Sequence, residues 1–139
     1  LGESRLDGMN ILLVEDGLDN QRLVALVLRK AGANVVTAEN GQEACDLVDL
    51  TVRKADPYDV ILMDMQMPIM DGYTATRKIR QAGHTMPIFA LTAHAMEHDR
   101  QKCLDAGCDD YISKPIKVKE LISHVASVKQ SHPEMMCSW

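Results

Sequence analysis

Short apolar runs alternate with helix-length segments along most of the chain. The runs predict five strands, at 9–14, 34–38, 58–63, 87–91 and 110–113. Each is followed by a segment of helical length, and in the first of these Val24, Val27, Leu28 and Ala31 keep helical spacing. Strict alternation indicates parallel strands joined by crossovers, so the predicted class is α/β, a doubly wound sheet with helices on both faces.

The apolar content of the runs separates central strands from edge strands. Three runs, 11–14, 60–63 and 88–91, are almost continuously apolar, as expected of strands buried on both faces. The second and fifth runs are shorter or more polar, which suits the edges of the sheet. This division permits the strand order 2-1-3-4-5, although hydrophobicity alone does not prove it.

Chain length fits one domain. With 139 residues, 46% of them hydrophobic, the chain can bury a core without disulfides or a structural metal. Residues 9–129 are predicted to form this domain. Residues 1–8 are polar and without periodicity, which favours a linker remnant, and residues 130–139 are predicted to be a flexible C-terminal tail.

Charge and composition exclude several functions. A net charge of −5 and no cluster of Lys and Arg speak against nucleic-acid binding and favour protein partners. No apolar stretch approaches the roughly 20 residues of a membrane span, so we expect no direct membrane contact by this domain. Four cysteines without CxxC pairs favour free thiols, and a cytoplasmic location is expected, whether or not a parent protein is membrane-anchored.

Polar side chains capable of chemistry stand where the predicted strands end. Glu15 and Asp16 follow the first strand, Asp64 ends the third, Thr92 ends the fourth, and Lys114 follows the fifth. Because parallel strands end at the same edge of a sheet, these side chains are predicted to meet in one crevice.

The predicted crevice has the groups that phosphoryl transfer requires. Clustered carboxylates repel one another, and Mg²⁺, which prefers oxygen ligands, is the usual cation that holds them together. Asp16 and Asp64 are predicted direct ligands, while Lys114 and Thr92 can hold the oxygens of a phosphoryl group. No serine, cysteine or histidine triad is evident, so acyl transfer is not indicated.

From Met9 to Lys129 the sequence resembles the receiver domains of two-component response regulators. The acidic pair, Asp64, the Leu91-Thr92-Ala93 step and the segment 111–115 fall in the family's order and spacing. The segments 64–72 and 106–111 are most similar to receivers attached to hybrid sensor histidine kinases. The resemblance implies a flavodoxin-like fold.

The resemblance also implies a reaction: Mg²⁺-dependent transfer of a phosphoryl group from phosphohistidine to Asp64, with slow hydrolysis by the domain itself. The donor would be a histidine kinase or a histidine phosphotransfer protein. The implied metal ligands are Glu15 through water, the side chains of Asp16 and Asp64, and the backbone carbonyl of Gln66. Thr92 and Lys114 would bind the phosphoryl oxygens.

Further roles follow from the same resemblance. Tyr111 matches an aromatic switch that turns inward when Thr92 moves toward the phosphoryl group. The Lys114-Pro115 peptide matches a family position that is cis. Gln66 and His94, each two residues after a site residue, are predicted to tune the lifetime of the phosphoryl group.

Two other functions stay open. One is a Mg²⁺-dependent aspartyl phosphohydrolase, which normally has a second acid two residues after the nucleophile, where this chain has Gln66. The other is a protein-binding module that signals without phosphorylation. A receiver catalyses its own phosphorylation and dephosphorylation, whether or not its parent chain is a histidine kinase, and we expect a monomer or weak dimer.

Overall fold

The computed structural model describes residues 5–53, 57–93 and 97–137. Its strands are β1 (Asn10–Val14), β2 (Asn34–Ala38), β3 (Val60–Asp64), β4 (Ile88–Thr92) and β5 (Asp110–Ser113). Its helices are α1 (Leu18–Lys30), α2 (Gly41–Arg53), α3 (Gly72–Gln81), α4 (Glu97–Ala106) and α5 (Val118–Cys137). Strand and helix alternate as the pattern predicts.

All strand pairs are parallel, and the order across the sheet is β2-β1-β3-β4-β5. The predicted α/β class and strand order are therefore confirmed. Every residue of β3 and β4 is buried, whereas the edge strands β2 and β5 each have residues that are not. This is the distribution expected when helices cover both faces of a parallel sheet.

The core consists of two layers, one on each face of the sheet. Helices α1 and α5 cover one face and bury Leu28 and Val125 against strand residues such as Leu13 and Leu62. Helices α2, α3 and α4 cover the other, against the alternate strand residues, which point to the opposite face. The two layers fix the sheet, and the polar residues predicted to form the site lie at the carboxyl ends of its strands and in the loops that follow them.

The segment 5–8, which belongs to the predicted linker remnant, packs against the domain. Leu6 is fully buried in the layer formed by α1 and α5, and its N–H donates to the Ala31 carbonyl at 2.9 Å. The Gly8 N–H donates to the Gly32 carbonyl at 3.4 Å. One apolar side chain in a polar segment gave no periodic signal, but the core accommodates it.

At the other end, α5 continues to Cys137, so the backbone is helical over most of the segment 130–139 that was predicted to be a flexible tail. Its flexibility stays a prediction. None of the described helices combines the length and apolar character needed to cross a membrane.

Candidate functional site at the carboxyl edge of the sheet

Asp64 is the last residue of β3, and the chain turns sharply after it. The turn brings the start of α3 back against the strand, with the Gly72 N–H donating to the Met65 carbonyl at 3.2 Å. A Cβ on Gly72 would overlap the Asp64 carbonyl oxygen and lie 2.8 Å from Met65 Cα, so only glycine fits. Asp71 then caps α3, accepting from the Thr74 N–H at 2.8 Å.

Three carboxylates converge at this edge, as predicted. Glu15, Asp16 and Asp64 each offer an oxygen, and these oxygens lie within 4.8 Å of one another. Glu15 and Asp64 are almost fully buried, at 3% and 1% exposure, whereas Asp16 is exposed. Two buried carboxylates therefore sit behind one that faces solvent.

Lys114 is the cation that contacts both buried carboxylates. Its Nζ lies 3.3 Å from Glu15 Oε1 and 3.2 Å from Asp64 Oδ2. The backbone holds it there, because the Lys114 N–H donates to the Thr92 carbonyl at 2.8 Å. The Lys114-Pro115 peptide is cis, as predicted.

The electrostatics distinguish the two buried carboxylates. Burial is the largest cause that raises the pKa of Asp64, which reaches about 6, and Glu15, a charged and hydrogen-bonding neighbour, also raises it. The Gln66 N–H, which donates to Asp64 Oδ1 at 3.1 Å, acts in the opposite direction. Burial also opposes ionisation of Glu15, but hydrogen bonds from the Gly17 N–H and with Asp64, together with Lys114, hold its pKa below the ordinary value. Of the two buried carboxylates, Asp64 is therefore the one whose ionisation is disfavoured.

Lys114 responds in the opposite sense. Burial disfavours its charge, but the carboxylates of Asp64 and Glu15 outweigh burial and raise its pKa. Among the described residues, one ammonium thus contacts the two buried carboxylates, and Asp16 adds a third, exposed carboxylate to the cluster. The donor set is entirely oxygen, it is overcharged, and it is open to solvent on the Asp16 side, which fits a hard divalent cation such as Mg²⁺.

The structure brings most of the remaining predicted residues to the same edge. Thr92 is the last residue of β4 and is 1% exposed. The Gln66 backbone meets Asp64, while its side chain is exposed. Tyr111, in β5, is half-buried and packs against the layer formed by α2, α3 and α4. His94 lies outside the described residues.

Two residues near the site were not predicted. Gln21, on α1, is buried and hydrogen-bonds to the Glu15 carbonyl. Its position three residues before Val24 on the apolar stripe of α1 was an available signal, since a polar residue on a buried face needs a partner. Arg100, on α4, places its guanidinium carbon 5.3 Å from the centroid of the Tyr111 ring. No sequence pattern indicates that contact, because the two residues come from different elements.

Residues 11–126 match the family described as the response regulator receiver domain. The chain is similar to "Probable histidine kinase 2" of Oryza sativa subsp. indica, with 44% identity over 136 residues that cover 88% of this chain and 13% of that protein. The chain therefore spans about an eighth of the length of this relative.

Two solved structures are similar to this chain over most of its length. The receiver domain of the sensor histidine kinase PA1611 from Pseudomonas aeruginosa, solved with a magnesium ion in its active-site cleft, is 42% identical, with a TM-score of 0.74 over 85% of this chain and 94% of that one. The receiver domain of Ssk1 from Saccharomyces cerevisiae, solved with the histidine phosphotransfer protein Ypd1, is 32% identical, with a TM-score of 0.76 over 86% and 88%.

Proposed function

Because the chain belongs to the response regulator receiver domain family of two-component signalling, we propose that it accepts a phosphoryl group on Asp64 from a phosphohistidine donor in a Mg²⁺-dependent reaction. The observation that carries the proposal is the meeting of Glu15, Asp16, Asp64 and Lys114 at one sheet edge. The donor is a histidine kinase or a histidine phosphotransfer protein, a proposal supported by the Ssk1 receiver solved with Ypd1.

Asp64 is the nucleophile. An oxygen of its carboxylate forms a bond to phosphorus as the P–N bond of phosphohistidine breaks, and the electron pair leaves with the imidazole nitrogen. Attack requires the ionised form, and because its pKa is about 6, Asp64 is mostly ionised at neutral pH. A bound Mg²⁺ supplies charge neutralisation for the carboxylates and for the phosphoryl oxygens.

The surrounding residues bind and orient the groups that react. Asp16 and Asp64 would hold the metal by their side chains, Glu15 through water, and Gln66 by its backbone carbonyl. Lys114 neutralises charge on the phosphoryl oxygens, since its Nζ lies 3.2 Å from Asp64 Oδ2. Thr92 binds another of these oxygens by its hydroxyl.

We propose that phosphorylation is read out through Thr92 and Tyr111. Movement of Thr92 toward the phosphoryl group leaves space into which the Tyr111 ring turns, and this changes the surface of β5 and α4. The contact between Arg100 and Tyr111 supports this coupling, because it joins a ring of β5 to a side chain of α4. Gln66 and His94 tune the phosphoryl lifetime, and a cytoplasmic location stays a prediction.

Intact-mass measurement after incubation with acetyl phosphate and Mg²⁺ tests the function. We expect one phosphoryl adduct on the wild type, none on Asp64→Asn and none when EDTA removes the metal. Asp59→Asn, which changes an acid at the opposite edge of the sheet, is the matched control and should be labelled like the wild type.

The outcome that contradicts the proposal is an unlabelled wild type under conditions that label another receiver domain. Labelling that persists in Asp64→Asn would contradict the choice of acceptor. Turnover of many equivalents of a phosphate ester would instead favour the phosphohydrolase.

A further inference from the structure

Gln21 is a polar residue on the buried face of α1. It is 8% exposed, and the residues that follow it on that face, Val24, Ala25 and Leu28, are apolar and buried. An amide removed from water at such a position costs free energy unless its groups are hydrogen-bonded. The partners of Gln21 therefore show what it does.

The Gln21 side chain donates to the carbonyl that follows β1 and to the carbonyl that ends β2. Its Nε2 lies 3.0 Å from the Glu15 carbonyl oxygen and 3.3 Å from the Ala38 carbonyl oxygen. The Ala38 carbonyl also accepts the Glu15 N–H at 3.0 Å. Gln21 thus links the ends of β1 and β2 just beyond the last backbone hydrogen bond between them.

This step falls on the peptide that leads to the acidic pair. The Glu15 carbonyl belongs to the peptide bond between Glu15 and Asp16, so a donor bound to it fixes the plane of that peptide. The plane sets the direction in which the Asp16 side chain leaves the backbone. A second hydrogen bond, from the Gly17 N–H to Glu15 Oε2 at 3.1 Å, fixes the other acid.

From these contacts we propose that Gln21 is a positioning residue for the divalent-cation site. Its amide holds the Glu15–Asp16 peptide so that the oxygens of both side chains meet that of Asp64 within 4.8 Å. The inference rests on the proposed function, because it concerns the same site. Outer-shell partners of metal ligands typically contribute roughly 10- to 100-fold to metal affinity.

Gln21→Met removes the two N–H donors and keeps an unbranched side chain of similar length. We expect Mg²⁺ affinity, measured by titration of backbone amide NMR shifts, to fall by about 10-fold. Gln21→Glu keeps the shape but presents acceptors to the two carbonyls, so at pH 8 it should lose affinity at least as strongly. Val48→Ala, a core truncation in α2, is the control and should bind Mg²⁺ like the wild type.

Thermal melts of all variants separate positioning from general stability. Lower melting temperatures with unchanged Mg²⁺ affinity in both Gln21 variants would overturn the inference, and so would normal affinity in Gln21→Glu alone, since shape would then suffice. These results leave the function intact if the wild type is labelled by acetyl phosphate. A wild type that acetyl phosphate does not label contradicts the proposed function, whatever the Mg²⁺ affinities of the Gln21 variants.

Discussion

At the amino edge of the sheet, acidic side chains accept hydrogen bonds from the first residues of strands. At the carboxyl edge they face one another. Asp59 accepts the Asn10 N–H at 2.7 Å, and Asp109 accepts the Ile88 N–H at 2.9 Å. By contrast Glu15 and Asp64 are buried together and share the ammonium of Lys114.

The difference separates acids that stabilise the fold from acids that serve the site. A carboxylate that accepts a strand N–H has its hydrogen-bonding partner supplied by the chain itself. Two buried carboxylates with one cation are overcharged, so their arrangement costs stability in the absence of a further cation. On the proposed function, this cost in stability accompanies the ability of the carboxyl edge to bind a metal and of Asp64 to attack.

At the amino edge of the sheet, Arg80 makes several hydrogen bonds. Its guanidinium donates to three carbonyls and one carboxylate: Gly107 at 3.0 Å, His84 at 3.0 Å, Met86 at 2.8 Å and Asp109 Oδ2 at 2.9 Å. These acceptors come from the α3–β4 and α4–β5 connections. One side chain from α3 therefore holds together the loops that lead into β4 and β5.

The largest effect is expected from Arg80→Met. Removal of the guanidinium leaves partly buried carbonyls without their donor, and we expect the free energy of unfolding to fall by about 3 kcal/mol in urea titrations. Mg²⁺ affinity of the folded protein should not change, because the contacts of Arg80 lie at the edge opposite the site.

The control is Arg77→Met, which alters an exposed arginine of the same helix and should be close to neutral. If Arg80→Met weakened Mg²⁺ binding as much as it weakened folding, the two edges would not be separable. That result would break the comparison.

A smaller effect is expected from replacing aspartate by asparagine. The free energy of unfolding should change in opposite directions at the two edges. In metal-free buffer at neutral pH, Asp64→Asn should raise the free energy of unfolding by on the order of 1–2 kcal/mol, because it removes a buried charge that faces Glu15. Part of the gain is offset by the lost ion pair with Lys114. Asp59→Asn should lower it slightly, because the acceptor of the Asn10 N–H loses its charge.

The pH dependence sharpens this test. The pKa of Asp64 is raised from 3.8 to about 6, so its protonated form favours the folded state, and that stability is lost as pH rises from 4 through 6. The advantage of Asp64→Asn should therefore appear between about pH 4 and 6 in thermal melts with EDTA and persist above pH 6. Two results would contradict the view that the charge of Asp64 destabilises the fold. One is a stabilisation by Asp64→Asn that grew toward low pH, and the other is a change of the same sign in Asp64→Asn and Asp59→Asn.

Sequence patterns predicted the sheet and its site because both depend on regularities that the chain repeats. Continuous apolar runs such as Ile88–Leu91 identified buried strands, and parallel topology then brought their polar ends together. Strand bounds differ by one or two residues, since β3 begins at Val60 rather than Tyr58 and β4 ends at Thr92 rather than Leu91. Strand ends depend on hydrogen bonds with neighbours that no local pattern specifies.

Other features depend on contacts between residues far apart in sequence. Leu6 is a lone apolar residue in a polar segment, and only the assembled core shows that it is buried. The partners of Arg80 are mostly backbone carbonyls, which carry no side-chain signal. Gln21 is intermediate, because its place on an apolar stripe can be read from the sequence although its acceptors cannot.

The smallest predicted effect concerns backbone conformation at the two edges. Among the described residues, the glycines with positive φ precede strands at the amino edge: Gly8, Gly32, Gly83 and Gly107. At the carboxyl edge, Ile69 has a φ of 69° inside a tight turn in which the Met70 N–H donates to the Pro68 carbonyl at 2.7 Å. A β-branched residue is strained there, and Ile69 gains little from packing because it is 83% exposed.

Ile69→Asn should therefore stabilise the protein by about 0.5–1 kcal/mol in urea titrations, since asparagine tolerates positive φ and no buried surface is lost. The matched control is Gly83→Ala, at a φ of 94° with no atom within 4 Å of the added Cβ, which should destabilise by a similar amount. If Ile69→Asn were destabilising although Gly83→Ala behaved as expected, Ile69 would make a favourable contact that outweighs its strain. The loop beside Asp64 would then stabilise the fold, as the contacts at the amino edge do.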